Sequence, residues 1–101
     1  MKLKDIGKYV EEKNKLNKFL NNEKTTQIEI SGDFGNMIIA NNITELIEKF
    51  TEQYYGNLNK DTELHNENGY ITFFVRWTDY KGKDEREKYY LYITEKNGWN
   101  I

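Results

Sequence analysis

The sequence predicts a single small α+β domain of order α-β-β-α-β-β, an antiparallel sheet with two helices packed on one face. Three observations carry this. Apolar residues recur at helical spacing near residues 2–20 and 42–56, they alternate with polar ones at 27–31, 70–78 and 86–94, and turn residues separate the strands. At 101 residues there is room for one core, so residues 1–101 form one domain.

Leu3, Ile6 and Val10 start the first helix, and Leu16, Phe19 and Leu20 are expected to resume its buried stripe. Lys13 and Asn17 interrupt that stripe, Gly7 lowers helix propensity, and Asn21-Asn22 is a stop. Ile28 and Ile30 alternate in a half-buried strand, the turn residues 32–36 follow, and residues 37–40 pair back on it. The second helix has Asn42 as N-cap and Glu45 completing a capping box. Its stripe is Ile43, Leu46, Ile47, Phe50 and Tyr54, and Gly56 supplies the C-terminal left-handed position. Residues 57–69 form a long polar connector, expected either to hold a turn of helix near 61–64 or to be a working loop. A hairpin closes the chain, with turn residues 79–84 between its strands. The turn Lys96-Asn97-Gly98 follows, and a last short strand through Trp99 and Ile101 is a further expectation.

Composition narrows the function classes. The chain has no cysteine, which removes disulfides, thiolate metal sites and a cysteine nucleophile and points to a reducing, cytoplasmic setting. No apolar run reaches the roughly 18 residues of a membrane span, and neither export nor insertion is expected. Mean hydropathy is low at −0.96, but 15% aromatic residues supply large buried areas that a disordered chain lacks. Lys, Asn and Ile are abundant, as A/T-rich codons dictate, which suggests a low-GC bacterium or its phages and plasmids. The net charge of −2 conceals an asymmetry. Residues 1–24 carry seven lysines against four acids, a net of +3, and residues 25–101 carry eight basic and thirteen acidic side chains, a net of −5. A solvated helix face explains the lysines; a polyanion-facing tail is the alternative.

Catalytic chemistry is sparse. Ser31, the sole serine, lies in Ile30-Ser31-Gly32-Asp33, which lacks the spacing of a nucleophile elbow and reads as a turn. His65, the sole histidine, lies between Glu63 and Glu67 with Asp61 nearby, yet a polar run with this spacing supplies no convergent ligand set. Gly32 and Gly35 do not form a phosphate-cradling loop. The expectation is therefore a protein that is not an enzyme and uses no metal or cofactor.

The hairpin is the unusual feature. If Ile71, Phe73, Val75 and Trp77 face the helices with Leu91 and Ile93, then Tyr70, Phe74, Arg76, Tyr90 and Tyr92 share the opposite face. Such a face suits a protein interface. The same residues stack on bases in single-stranded nucleic-acid platforms, although Asp79, Asp84, Glu85, Glu87 and Glu95 would dilute the needed positive charge. A third reading leaves them as ordinary cross-strand pairs. The hairpin tip, with Lys81 and Lys83 around Gly82, also resembles a DNA-binding wing; since the second helix is acidic, the lysine-rich first helix would have to enter the groove or the wing would have to dominate.

Two segments, Ile28-Glu29-Ile30-Ser31-Gly32 and Thr44-Glu45-Leu46-Ile47-Glu48-Lys49-Phe50, resemble pieces of small anti-CRISPR proteins from low-GC phages. The resemblance implies an inhibitor that binds an effector nuclease, and it assigns no individual residue a role. The leading expectation is a non-enzymatic binding protein of a phage or mobile element acting on a host protein, such as a nucleic-acid-processing effector. Phe74, Arg76, Tyr90 and Tyr92 would anchor the contact, with Glu63 and Glu67 in its acidic rim. The alternative is a plasmid- or transposon-encoded DNA-binding accessory protein of winged-helix, dimeric form using Lys81, Lys83, Lys4 and Lys8. Either acts as a monomer or homodimer, away from membranes.

Overall fold

A computed structural model describes residues 1–32, 37–53 and 57–98. The turn at 33–36, the Tyr54 and Gly56 end of the second helix, the Trp99–Ile101 strand and the side chain of Trp77 lie outside the described set. The order is α1 (Leu3–Phe19), β1 (Lys24–Gly32), β2 (Met37–Ala40), α2 (Ile43–Gln53), β3 (His65–Glu67), β4 (Tyr70–Thr78) and β5 (Asp84–Asn97). All strands pair antiparallel in one sheet of order β2-β1-β5-β4-β3.

Both helices cover the same face. Leu3, Ile6 and Val10 of α1 and Leu46 and Phe50 of α2 meet Ile28, Ile30, Ile38, Phe73, Val75 and Leu91 in one cluster. These strand positions share one side because successive side chains alternate. Tyr89 completes the cluster, its ring stacked on Phe73 at 5.5 Å and edge-on to Phe50 at 5.4 Å.

In α2 the Asn42 side chain accepts from the Glu45 amide at 2.8 Å, as an N-cap should. Glu45 reaches the Asn41 amide instead of closing the box on Asn42. A hydrogen bond from the Lys49 side chain, joined by that amide, holds the Glu45 carboxyl below its ordinary value, against a smaller opposing effect of burial. A depressed folded-state value stabilises the fold above the unfolded carboxyl's range, and the contribution disappears as pH falls through the folded value. Glu45→Gln is accordingly expected to cost about 0.3–0.5 kcal/mol at neutral pH. The difference from the parent should vanish in urea titrations at acid pH.

The phase of α1 departs from expectation. Leu16, Phe19 and Leu20 do not resume the stripe; all three are exposed, Phe19 at 85%, while Asn17 is buried. The cause lies in β1. Because β2 reaches only Ile28, residues 24–27 lack a strand neighbour there. Asn14 replaces it, donating to the Thr26 carbonyl at 3.0 Å and accepting from the Thr26 amide at 2.7 Å, and Asn17 donates to the Lys24 carbonyl. Buried backbone groups need partners, and the two asparagines supply them at the cost of turning three apolar residues outward.

Gly7 is also explained by packing. A Cβ there would lie 2.8 Å from Cδ1 and Cγ2 of Ile43, so glycine sets how closely α1 and α2 approach. Gly7→Val is expected to destabilise by about 1–3 kcal/mol, despite valine's better helix propensity. Combined with Ile43→Ala, the loss in a denaturation assay should fall short of the sum of the two single losses.

The connector contains neither the expected turn of helix nor a free loop. Its first part is bound to the N-terminus: the amides of Leu3 and Lys4 donate to the carbonyls of Thr62 and Lys60, and Lys2 bridges Glu63. Its second part is β3, joined to β4 by Asn68-Gly69, both at positive φ (53° and 86°) as a two-residue type I′ turn requires. The first and last strands of the neighbouring ladders are also longer than expected, β1 starting at Lys24 and β5 running through the anticipated turn to Asn97. No described helix is long and apolar enough to cross a membrane.

Candidate functional site

With α1 and α2 on one face, the other face of the sheet carries no described helix. The unbroken register of β5 against both neighbours fixes what that face presents. Tyr89 and Leu91 point inward, so Arg86, Lys88, Tyr90 and Tyr92 point outward, joined on β4 by Tyr70, Thr72, Phe74 and Arg76. The structure therefore brings together Phe74, Arg76, Tyr90 and Tyr92, as the alternation predicts. The same alternation corrects the charge reading. Glu85, Glu87 and Glu95 fall on the helix side, where Glu87 accepts from the Tyr89 hydroxyl at 2.8 Å, while Asp84, opposite Thr78, stays on the open face. Those three do not dilute the basic residues of the open face; Asp84 does so only at its hairpin end.

Aromatic and cationic side chains interleave there. Arg86 lies over the Phe74 ring at 4.2 Å and Lys88 over Tyr90 at 5.5 Å, while Tyr70 meets Tyr90 edge-on at 6.2 Å. Beyond β5 the face becomes apolar and mixed, with Met37 and Ile39 exposed on β2 and Glu29 on β1. Beneath the rings Thr72 is fully buried, opposite Tyr90 on one side and His65 on the other. Its hydroxyl has no hydrogen-bond partner among the described residues. A buried, unsatisfied hydroxyl costs free energy, so Thr72→Val is expected to stabilise by about 1 kcal/mol in thermal or chemical unfolding.

The other candidates lie elsewhere or have partners. Glu67, on β3, faces outward beside the aromatic group and pairs with Lys88 at 2.6 Å. Glu63 does not join it; its carboxylate lies 3.8 Å from the N-terminal ammonium, beside α1. Asp61 is held by Lys2 and Lys4, so His65 is left without the carboxylate cluster that its sequence neighbours suggest. Among the described residues no group of three or more His, Asp or Glu is placed to hold a metal ion. Lys8 and Lys4 line a groove of about 850 Å³ between α1 and the start of α2, together with Lys15, Lys18, Glu11, Glu45 and Glu48. Lys81 and Lys83 stand at the hairpin tip, Lys83 next to Glu85 at 3.8 Å. A β-hairpin separates α1 from α2, so the pair forms no helix-turn-helix, and the winged-helix expectation is not met.

Sequence reasoning placed Tyr70 on this face but not among its anchors, although it is 53% exposed and meets Tyr90, and it missed His65 beside Phe74 and Lys88 beside Tyr90. Asn68-Gly69 was the available signal, because that turn places β3 beside β4 and so extends the face. Comparison of the chain with protein-family models, curated proteins and solved structures finds no match to any of them.

Proposed function

We propose that the chain is a non-enzymatic binding protein that docks on another protein through the open face of its sheet, as an inhibitor or modulator carried by a phage or mobile element. The observation that supports this is the uncovered Tyr70, Phe74, Tyr90 and Tyr92 group, set among Arg76, Arg86 and Lys88. Aromatic residues and arginine are the side chains that carry most binding energy at protein interfaces. A face that also includes Met37, Ile39, Glu29 and Glu67 suits a protein better than a polyanion, which favours one sign of charge.

The resemblance to anti-CRISPR proteins makes an RNA-guided nuclease the partner to try first. The test is biolayer interferometry of the purified chain against a panel of such nucleases, with DNA cleavage measured in parallel. Binding with loss of cleavage supports the proposal. No binding to any nuclease removes the nuclease assignment, and salt-dependent binding of single-stranded DNA to the same face would replace the protein reading.

The DNA-binding alternative rests on one observation, the four lysines of α1 that line the groove beside α2. It expects a duplex-DNA gel shift that weakens steeply with salt and is lost on neutralising Lys4 and Lys8 together with Lys81 and Lys83. No shift at low salt eliminates it.

A further inference from the structure

The edges of the sheet differ in how they are closed. On the β2 side, Lys49 donates to the Ile39 carbonyl at 2.8 Å, and Asn14 and Asn17 occupy the part of β1 that β2 leaves open. On the other side β3 covers only Tyr70–Thr72 of β4. The chain before His65 then turns away to Lys2, so among the described residues no strand covers residues 73–78 of β4 on that edge.

Which backbone groups face that edge follows from the ladder. Bonded residues alternate along an antiparallel strand. The Asp79 amide donates to the Lys83 carbonyl at 3.0 Å, continuing the β4–β5 ladder on odd-numbered residues of β4. The two-residue turn at Asn68-Gly69 likewise turns Tyr70 and Thr72 toward β3. Hence Phe74, Arg76 and Thr78 each present an N–H and a C=O to the open edge, and among the described residues nothing pairs with them. Proline and bulge are absent from the described strand, which is mostly aromatic and β-branched; the charge of Arg76 is the one edge protection it carries.

The side chains along this edge specify a charge. Arg76 and Arg86 stand directly opposite each other on the outer face, both exposed, and neither has a carboxylate within ion-pair distance among the described residues. Like charges opposite one another are unfavourable in a sheet. We propose that the free edge of β4 at Phe74–Thr78 takes up an extended segment of a partner protein as an additional strand, with an acidic residue beside Arg76. This deepens the protein-binding reading above and rests on it. In an added strand, residues bonded to Phe74 and Arg76 place their side chains on the outer face, near both arginines, and the residues between them point toward the helix side next to Val75.

The probe is a synthetic heptapeptide of alternating Val and Glu, added at millimolar concentration to the ¹⁵N-labelled chain. Addition of a strand should slow amide exchange at Phe74, Arg76 and Thr78 by at least about tenfold and leave Phe73 and Val75, already bonded to β5, unchanged. Replacing Glu by Lys in the peptide, or Arg76 by Ala in the protein, should weaken binding by about fivefold. N-methylation of the Glu residues should abolish binding, whereas N-methylation of the Val residues should not, and this control leaves the protein intact. The proposal is overturned if the peptide does not bind, or if both N-methylated peptides bind alike. Protection of the same amides that rises with protein concentration alone would assign the edge to a second copy and overturn it too. Shifts at Tyr90 and Tyr92 without edge protection would overturn strand addition while leaving face docking intact, so the two readings fail separately.

Discussion

Phe73→Ala is expected to cost about 3–5 kcal/mol, among the largest losses of stability a single core truncation produces. Phe73 is fully buried, stacked on Tyr89, which in turn lies edge-on to Phe50 of α2. Truncation therefore opens a cavity where three aromatic rings from β4, β5 and α2 join the sheet to the helix layer. A chain of this length has about 5–15 kcal/mol in total, so the variant should retain a small fraction of it and melt roughly 15–30 °C lower. The neighbouring substitution Phe74→Ala provides the internal control. Phe74 is on the opposite face and 37% exposed, with Arg86 over its ring, and its removal should cost no more than about 1 kcal/mol. Urea titrations of the two variants measure the phase of β4. Equal losses, or a larger one at Phe74, would contradict the placement of the helices on a single face.

That phase was legible in the sequence, because alternation along 70–78 and 86–94 has one consistent solution that buries Phe73, Val75 and Leu91 together. The stripe of α2 was legible for the same reason, with Ile43, Leu46, Ile47 and Phe50 leaving little choice of face. The end of α1 was not. Its apolar residues offer one continuation through Leu16 and Leu20, and its asparagines another through Asn14 and Asn17. What decides between them is the unpaired backbone of β1 at Lys24 and Thr26, a need created by the short β2 and invisible in local periodicity. β3 was hidden for a related reason. His65, Asn66 and Glu67 are all exposed, so no alternation marks them, and their pairing depends on the adjacent turn and on β4. Charge was misread where composition was summed along the chain, since pleating sends Glu85 and Glu87 to one face and Arg86 and Lys88 to the other.

For the candidate site the expected result is a separation of binding from stability. In Tyr90→Ala/Tyr92→Ala, affinity for a partner docked on the open face should fall by about 10²–10³-fold, the loss of two aromatic hot spots. Stability should change far less. Tyr92 is 36% exposed, and Tyr90, though closer to its neighbours, lies over Thr72. Removing the Tyr90 ring forfeits its edge-on contact with Tyr70 and its contact with Lys88. It also admits water to the buried, unpartnered Thr72 hydroxyl, and that hydration offsets part of the lost packing. The opposed effects leave a net loss of about 1 kcal/mol or less, small beside that of Phe73→Ala. Introducing Thr72→Val into the Tyr90→Ala background separates the two contributions. If hydration is the offset, the stabilising effect of valine seen in the parent should shrink or reverse once the ring is gone. Circular dichroism and urea titration report the fold, and interferometry with a nuclease that binds the parent chain reports binding. A folded double variant that binds as tightly as the parent would rule out Tyr90 and Tyr92 as anchors and move the interface to the hairpin edge or to the exposed apolar flank of α1.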